Sequence, residues 1–231
     1  MITLRIVYTK EGYMAFLGHL EMMKLFERVF RFNKVPLKFS EGFNPIPRMT
    51  FAAPLSVGYS SKYEVMEVLL EKEIPMETVK NIQFPEGISV IDAAYVESKK
   101  SLMAALTHAE YLIKVEFNSN IERLPVSEWI DAFTQNKEIV YEKKAKNGKM
   151  KQVNINEQID SFKMVFQSEQ EILFRATLQS GSQGSLNPET LVKVLFETYK
   201  VPQTIETIRV ERIGLFFEND GVKQSIFNLS E

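Results

Sequence analysis

The order in which strand-like and helix-like segments follow one another constrains the fold of this chain most. Residues 2–10, ITLRIVYTK, alternate apolar and polar side chains, which predicts a half-buried strand. Residues 13–34 place apolar side chains at helical spacing, and Pro36 soon follows, where a helix should end. The next segments predict, in order, a short strand at 35–40, a strand at 62–72, a short helix at 74–83 and a strand at 88–98.

This order of strand, helix, strand, strand, helix and strand is the split βαβ, or ferredoxin-like, plan. An extended loop at residues 40–58 interrupts it. The same order then recurs, with a strand at 109–117, a helix at 125–136, a hairpin around Asn147-Gly148, strands at 161–167 and 171–179, a helix at 187–200 and a strand at 205–219. We therefore predict an α+β protein made of two tandem ferredoxin-like (split βαβ) units with antiparallel sheets. The first unit would span residues 1–100 with the inserted 40–58 loop, and the second would span residues 108–231 with the hairpin insertion.

Composition excludes several classes of function. The 231 residues include no cysteine, so disulfides, thiolate zinc sites, cysteine nucleophiles and iron–sulfur clusters are excluded. Only two histidines are present, and no cofactor-binding motif occurs, so we expect neither a metal nor a cofactor. A formal net charge of −2 indicates no overall basic field that would draw the chain to nucleic acid or membrane. The absence of a signal peptide and of a long apolar run favours a cytoplasmic protein.

The stretch LKFSEGFNPIPRMTFAAPLSVG, residues 37–58, concentrates turn-forming residues between two apolar runs. Gly42 permits a positive φ, Asn44 with the following proline starts a turn, and further prolines reduce the loop's freedom. Phe43 in such a loop either anchors it to the core or presents a stacking surface for a base or ligand. Ser40, Glu41 and Arg48 supply the polar groups of a candidate binding loop.

Three cationic side chains share one face of the first predicted helix. Lys24, Arg28 and Arg31 lie at positions i, i+4 and i+7, and Glu27 is placed to pair with Arg31 or Lys24. Such a face is either simply solvated or a stripe that contacts phosphates. Both interpretations stay open, although more cations follow nearby in the sequence.

Two further features carry weaker signals. His19 on the first helix is either a partly buried structural histidine or, beside a second polar group, a general base. Gly184 and Asn187 lie in SGSQGSLNPE directly before a helix, where backbone N–H groups either hold an anion or form an ordinary capped helix start. We also predict that the 40–48 loop folds back toward the start of the first helix. His19, Glu41, Asn44 and Arg48 would then line one shared polar concavity.

Residues 16–58 resemble the radical-SAM-linked family of unknown function. The family pattern is roughly Phe-Leu-Ser-His-Leu-Asp, then a helix, then Tyr-Ser-Glu-Gly-Phe-Asn-Pro. Phe16, Leu17, His19, Leu20 and the segment 40–45 match it. A weaker similarity continues through KMKQVNINEQI and GSQGSLNPE, so it covers nearly the whole chain.

The resemblance implies a partner, which is a radical SAM protein encoded beside or fused to this chain. It implies an RNA role by association, because family members often accompany genes of RNA processing. We therefore expect a non-catalytic binding module that presents RNA or another anionic substrate to that partner. The alternative is a metal-independent ribonuclease with His19 as general base, since the tandem plan is similar to that of CRISPR repeat-RNA processing endonucleases.

Overall fold

The computed structural model describes residues 2–97, 100–136, 138–144, 148, 150–182 and 184–230. The strands are β1 Ile2–Lys10, β2 Met49–Phe51, β3 Ser60–Leu70, β4 Val90–Val96, β5 Leu106–Phe117, β6 Val140–Lys144, β7 Met150–Asn154, β8 Ile159–Gln167, β9 Glu171–Gln179, β10 Ile205–Asn219 and β11 Val222–Ser225. The α-helices are α1 His19–Phe32, α2 Met76–Lys80, α3 Leu102–Ala105, α4 Val126–Gln135 and α5 Pro188–Thr198. Short 3-10 turns lie at Gly12–Phe16, Asn156–Gln158 and Ile226–Asn228.

The chain forms two compact units that do not divide at the predicted boundary. The first unit comprises Met1–Thr107 together with Arg212–Glu231, and the second is His108–Glu211. We had placed residues 212–231 in the second unit. They belong to the first because Arg212, which is 1% exposed, donates from Nε to Glu64 Oε1 at 2.8 Å. Local periodicity carries no information about a contact between residues so far apart in the chain.

The sheet of the first unit has the strand order β4-β1-β3-β10, and its pairs with a described register are antiparallel. The short β2 pairs with β3, and β11 pairs with β10, in both cases antiparallel. One face of the sheet packs on α1, whose buried residues are Met22, Phe26, Val29 and Phe30. Burial of these side chains against β1 and β3 holds the helix that carries the candidate site.

The start of α1 differs from its prediction. The segment from Tyr13 onward is not one helix, because a 3-10 turn ends at Phe16 and α1 begins only at His19. The Lys10 ammonium group donates to the carbonyl of Leu17 at 2.8 Å, and the Glu21 carboxylate accepts from the Gly18 N–H. These contacts stabilise the break. Phe16 and Leu20, two of the apolar residues at helical spacing in segment 13–34, are 66% and 70% exposed.

The second unit has the strand order β10-β5-β9-β8, with β5 and β8 both antiparallel to β9. Strands β6 and β7 form a separate antiparallel pair, as predicted for the hairpin, although Asn147 of its turn lies outside the described residues. Trp129 of α4 stacks on Tyr199, with ring centroids 5.1 Å apart. The predicted mixed α+β class with a mostly antiparallel sheet is thus confirmed. No helix among the described residues is both long enough and apolar enough to span a membrane.

Candidate nucleic-acid interface

The loop at residues 40–48 closes on itself through main-chain contacts. The Ser40 N–H donates to the Ile46 carbonyl at 2.8 Å, and the Ile46 N–H donates to Ser40 Oγ at 3.1 Å. The predicted strand at 35–40 is reduced to isolated bridges, one of which joins Phe39 to Pro47. Gly42 adopts φ +126°, a conformation that a side chain would disfavour. The loop is therefore a closed turn with a defined tip.

Phe43 at this tip is fully exposed. Of the two roles that the sequence left open for its ring, the structure excludes an anchor in the core. Phe39 anchors the loop instead. Its ring is partly buried against the core and lies under the Arg31 guanidinium, which is 4.8 Å from the ring centroid. The Phe43 ring consequently faces solvent on a loop that is itself well held.

The outer face of α1 carries the predicted cations. Lys24, Arg28 and Arg31 are all exposed, as is Phe32 at the end of the helix. Arg31 Nε donates to Glu27 Oε1 at 2.9 Å, so one cation of the stripe is partly neutralised. Among the described residues, no carboxylate lies within ion-pair distance of Lys24 or Arg28. The stripe thus keeps two cationic side chains without an ion-pair partner in the part of the chain that the structure describes.

A groove of about 510 Å³ opens beside the loop and runs along β2. Its polar lining comes from Thr3, Ser40, Arg48, Thr50, Glu67, Lys100 and Ser101, and its apolar lining from Met23, Ile46, Pro47, Met49 and Leu69. The groove brings Ser40 and Arg48, two of the predicted binding residues, to one wall.

Of the four residues predicted to share one polar concavity, Arg48 lines the groove beside the loop and the other three do not. The described residues that line the groove include neither His19 nor Glu41 nor Asn44. His19 is the first residue of α1, and its half-buried ring packs edge-on against Phe51 of β2 at a centroid distance of 5.3 Å. Glu41 and Asn44 lie exposed near the loop tip with Phe43. The loop therefore shares polar residues with the edge of the sheet rather than with the histidine.

Gly184 and Asn187 have an ordinary structural role at the start of α5. Asn187 Oδ1 accepts from the N–H groups of Glu189 and Thr190 at 2.8 and 3.2 Å, so the predicted N-cap is confirmed. Those two donors are therefore already used by the cap. A Cβ at Gly184 would lie 2.4 Å from Oε1 at the far end of the Gln179 side chain, which would have to move aside.

Sequence interpretation missed the buried charges of the first unit. Arg5, which is 0% exposed, donates from Nε and Nη2 to Glu67 Oε1 at 3.0 and 2.6 Å. Arg212 and Glu64 form a second buried pair close to Tyr8 and Lys10. The available signal was the position of Glu64 and Glu67 among apolar residues inside the predicted strand at 62–72, because a buried carboxylate needs a partner.

Burial shifts two of these titrations. Desolvation, aided by the nearby Glu64 carboxylate, raises the pKa of Tyr8 well above its usual value of 10.0. Desolvation lowers the pKa of Lys10, with the Arg212 charge acting in the same direction and Glu64 opposing it. Among the described residues, no group of three histidine, aspartate or glutamate side chains is placed to hold a metal ion.

Comparison with known proteins gives one family match and several similar folds. Residues 3–188 match the model of a family described as "Uncharacterized protein conserved in bacteria (DUF2344)". A chain in the crystal structure of a Cbf5-Nop10-Gar1 complex aligns with a TM-score of 0.52 and 11% identity, over 90% of this chain and 47% of that chain. A chain in the structure of an H/ACA RNP bound to a substrate RNA containing 2′-deoxyuridine aligns with a TM-score of 0.50 and 9% identity, over 91% and 46%.

This chain thus spans about half the length of those structural neighbours, and at such identities the similarity concerns the fold alone. No protein with curated annotation matches it significantly.

Proposed function

The chain belongs to the DUF2344 family, and we propose that it is a non-catalytic module that binds single-stranded RNA on the face formed by α1 and the 40–48 loop. One observation carries the proposal. A fully exposed phenylalanine stands at the tip of a closed loop, and the exposed helical face in the same unit carries cations without ion-pair partners among the described residues. Stacking on exposed aromatic rings combined with phosphate contacts to Arg and Lys is how proteins bind single strands with little sequence preference.

The physical roles divide between the two elements. Lys24 and Arg28 would contact phosphates and release counterions, which makes binding dependent on salt. Phe43 would stack on one base, and an exposed ring has no competing contact to give up. The net charge of −2 implies that the attraction is local to this face. One of the two structural neighbours named above is part of an H/ACA RNP bound to a substrate RNA, and that similarity concerns the fold alone.

The proposal includes a partner and a cellular setting. Residues 16–58 resemble the radical-SAM-linked family, so we propose that the module presents its RNA to a radical SAM protein in the cytoplasm. The exposed Phe16 and Leu20 belong to the motif that carries this resemblance. A radical SAM protein co-purified with the native chain would support this part independently of RNA binding.

The fold assignment belongs to the same proposal. In the first unit β1 lies between β4 and β3, and β2 pairs with β3. In the second unit β5 lies between β10 and β9, and β8 follows β9. If β10 is counted with the second unit and the β6–β7 hairpin is left out as an insertion, each unit has its first strand between its last and third strands, which supports the interpretation of both as split βαβ units.

Salt-dependent RNA binding tests the function. A fluorescently labelled single-stranded RNA should bind at low salt, with an affinity that falls as salt rises. Arg28→Ala should weaken binding and reduce the salt slope by about one. Phe43→Ala should cost about 1–3 kcal/mol with little change of slope. Fluorescence anisotropy across a salt series measures both effects.

Matched controls come from the second unit. Arg123→Ala removes an exposed arginine, and Phe166→Ala removes a half-exposed phenylalanine, away from the proposed surface. Both should leave RNA affinity unchanged apart from the small effect of net charge. Absence of binding at low salt, or equal losses in the test and control variants, contradicts the proposal.

The ribonuclease alternative stays a separate prediction. It requires that the chain cleaves RNA in the presence of a metal chelator and that His19→Ala abolishes this cleavage.

A further inference from the structure

We infer that the groove beside the 40–48 loop is a site for a single nucleotide, with Glu67 accepting from the amino group of an adenine or cytosine base and Arg48 binding the phosphate. This inference deepens the proposed RNA binding and rests on it for the source of the nucleotide. The groove is lined by residues of the first unit, and it is distinct from the ring of Phe43 at the loop tip.

The strand register places the polar residues of the groove on one face of the sheet. Thr50 of β2 lies opposite Glu67 of β3, and Glu67 lies opposite Arg5 of β1. Directly opposite residues in antiparallel strands share a face, so these side chains form one row. Thr3 lies opposite Leu69, and the Leu69 N–H donates to the Arg48 carbonyl at 2.9 Å. This second row lies two residues along the strand, or about 7 Å from the first.

Glu67 is a positioned acceptor rather than a free surface carboxylate. Both contacts from Arg5 go to Oε1, and the described residues provide no donor to Oε2. Arg5 is itself held by the carbonyls of Phe227 and Leu229 at 2.7 and 2.6 Å. The Glu67 side chain remains 14% exposed where it lines the groove. An ionised carboxylate can only accept hydrogen bonds, so a ligand must bring a donor to it.

The rest of the lining fits the other parts of a nucleotide. Leu69, on the same face as Glu67, and Ile46 supply apolar lining for the face of a base. Met23 and Met49 reach the groove from the α1 side of β2. Arg48 is exposed, and no described residue offers its guanidinium an ion-pair partner. Lys100 adds a second cation to the lining, so the groove holds more positive than negative charge. A planar guanidinium is well suited to bind a phosphate through two parallel hydrogen bonds.

The carboxylate also predicts which base is preferred. Adenine and cytosine present an exocyclic amino donor that a glutamate can accept from. Uracil offers one ring N–H between two carbonyl oxygens, and those oxygens would lie close to the negative charge of Glu67. We therefore expect CMP and AMP to bind about tenfold more tightly than UMP, which is the discrimination typical of one well-placed base contact.

Methionine methyl NMR of the full chain tests the inference. With ¹³C-methyl methionine, titration of CMP should shift the signals of Met23 and Met49 and leave that of Met150 in the second unit unchanged. UMP should need about ten times the concentration. Glu67→Gln should remove the difference between CMP and UMP while its amide oxygen still accepts from Arg5. Arg48→Ala should make CMP and cytidine equivalent, and Arg123→Ala should change neither.

The outcomes separate the groove from the proposed function. Equal affinities for CMP and UMP in the parent chain, or an unchanged preference in Glu67→Gln with an unaltered circular dichroism spectrum, overturn the nucleotide site. Oligo(C) that binds far more tightly than CMP identifies RNA as the source, and oligo(C) that binds no more tightly identifies a free nucleotide. RNA binding that depends on Arg28 and Phe43 without nucleotide discrimination leaves the function standing and removes the groove. Discrimination among mononucleotides without RNA binding supports the nucleotide site in the groove and contradicts the proposed RNA-binding function.

Discussion

At the scale of single residues, the first unit is distinguished by charged side chains that are buried inside its strands. Arg5, Glu64 and Arg212 are all nearly inaccessible, and each is paired. Tyr8 lies beside Glu64 and packs edge-on against Phe26 at 4.8 Å and Phe51 at 6.3 Å. A buried, paired charge specifies where its strand must lie, because breaking the pair leaves an uncompensated charge in the core.

Tyr8 gives a prediction for alkaline pH. Burial raises the pKa of its hydroxyl in the folded chain, while the unfolded chain ionises near 10. Below pH 10 both states keep the proton and stability is complete. Above pH 10 the unfolded state loses the proton first, so stability falls with rising pH by up to about 1.4 kcal/mol per pH unit. Tyr8→Phe should lack this loss.

Urea unfolding followed by circular dichroism between pH 8 and pH 11 measures the effect. The free energy of unfolding of the parent chain should fall relative to that of Tyr8→Phe only above pH 10. The lowered pKa of Lys10 acts in the opposite direction but is common to both proteins, so it cancels in the difference. Parallel curves over the whole range would contradict the proposed burial of the hydroxyl.

At the scale of the elements, the two helices α1 and α5 differ in whether nearby residues alone determine where the helix begins. The start of α5 was predicted from Asn187 followed by Pro188, since both signals lie within the first turn. The start of α1 was misplaced because the helical pattern is interrupted at Leu17, whose carbonyl accepts from the Lys10 ammonium group of β1, although Gly18 and Glu21 form the cap within the first turn. The three cations of α1 are exposed on one face as predicted, whereas the buried face is formed by Met22, Phe26, Val29 and Phe30 and leaves Leu20 exposed.

The α5 cap can be distinguished from an anion site by substitution. Asn187→Ala should lower the free energy of unfolding by about 1 kcal/mol, because the N–H groups of Glu189 and Thr190 lose their acceptor. Asn187→Asp should retain the cap and the stability. Urea unfolding measures this. RNA affinity should be the same in all three proteins; a loss confined to Asn187→Asp would instead indicate that an anion binds there.

At the scale of the whole molecule, the first unit is built from both ends of the described chain. Residues 212–231 supply the partner of Glu64 and three carbonyl acceptors for Arg5, from Ile226, Phe227 and Leu229. Because Arg5 also positions Glu67, this connection links the C-terminal segment to the proposed groove. Folding of the unit therefore requires contacts between distant parts of the sequence.

Deletion of residues 226–231 tests this connection. It should lower the free energy of unfolding by at least about 3 kcal/mol, because a buried guanidinium loses its acceptors. Arg5→Met in the deleted chain should recover part of the loss, whereas Arg5→Met in the full chain should be destabilising. Circular dichroism during urea unfolding gives all four values of this cycle. Additive effects would mean that lost apolar contacts of Ile226 and Leu229 explain the whole change.

What the sequence by itself determined was local. Periodicity and capping signals within a few residues predict the helix α5 with its cap, the cationic face of α1 and the strands β1, β3, β5, β8, β9 and β10. These signals depend on residues that are close together in the sequence, so they can be interpreted without knowledge of the fold. Ser40 and Arg48 were predicted as site residues on the same basis.

Only the tertiary structure decided the rest. It placed residues 212–231 in the first unit, exposed Phe16 and Leu20, packed His19 against Phe51, and paired Glu67 of the groove lining with the buried Arg5. Each of these outcomes depends on pairs that are far apart in the chain, such as Arg5 with Glu67 and with the carbonyl of Leu229. Burial makes such pairs obligatory, since an unpaired charge in the core is costly, but which partner supplies the pairing is decided by the packing of strands and not by any local pattern.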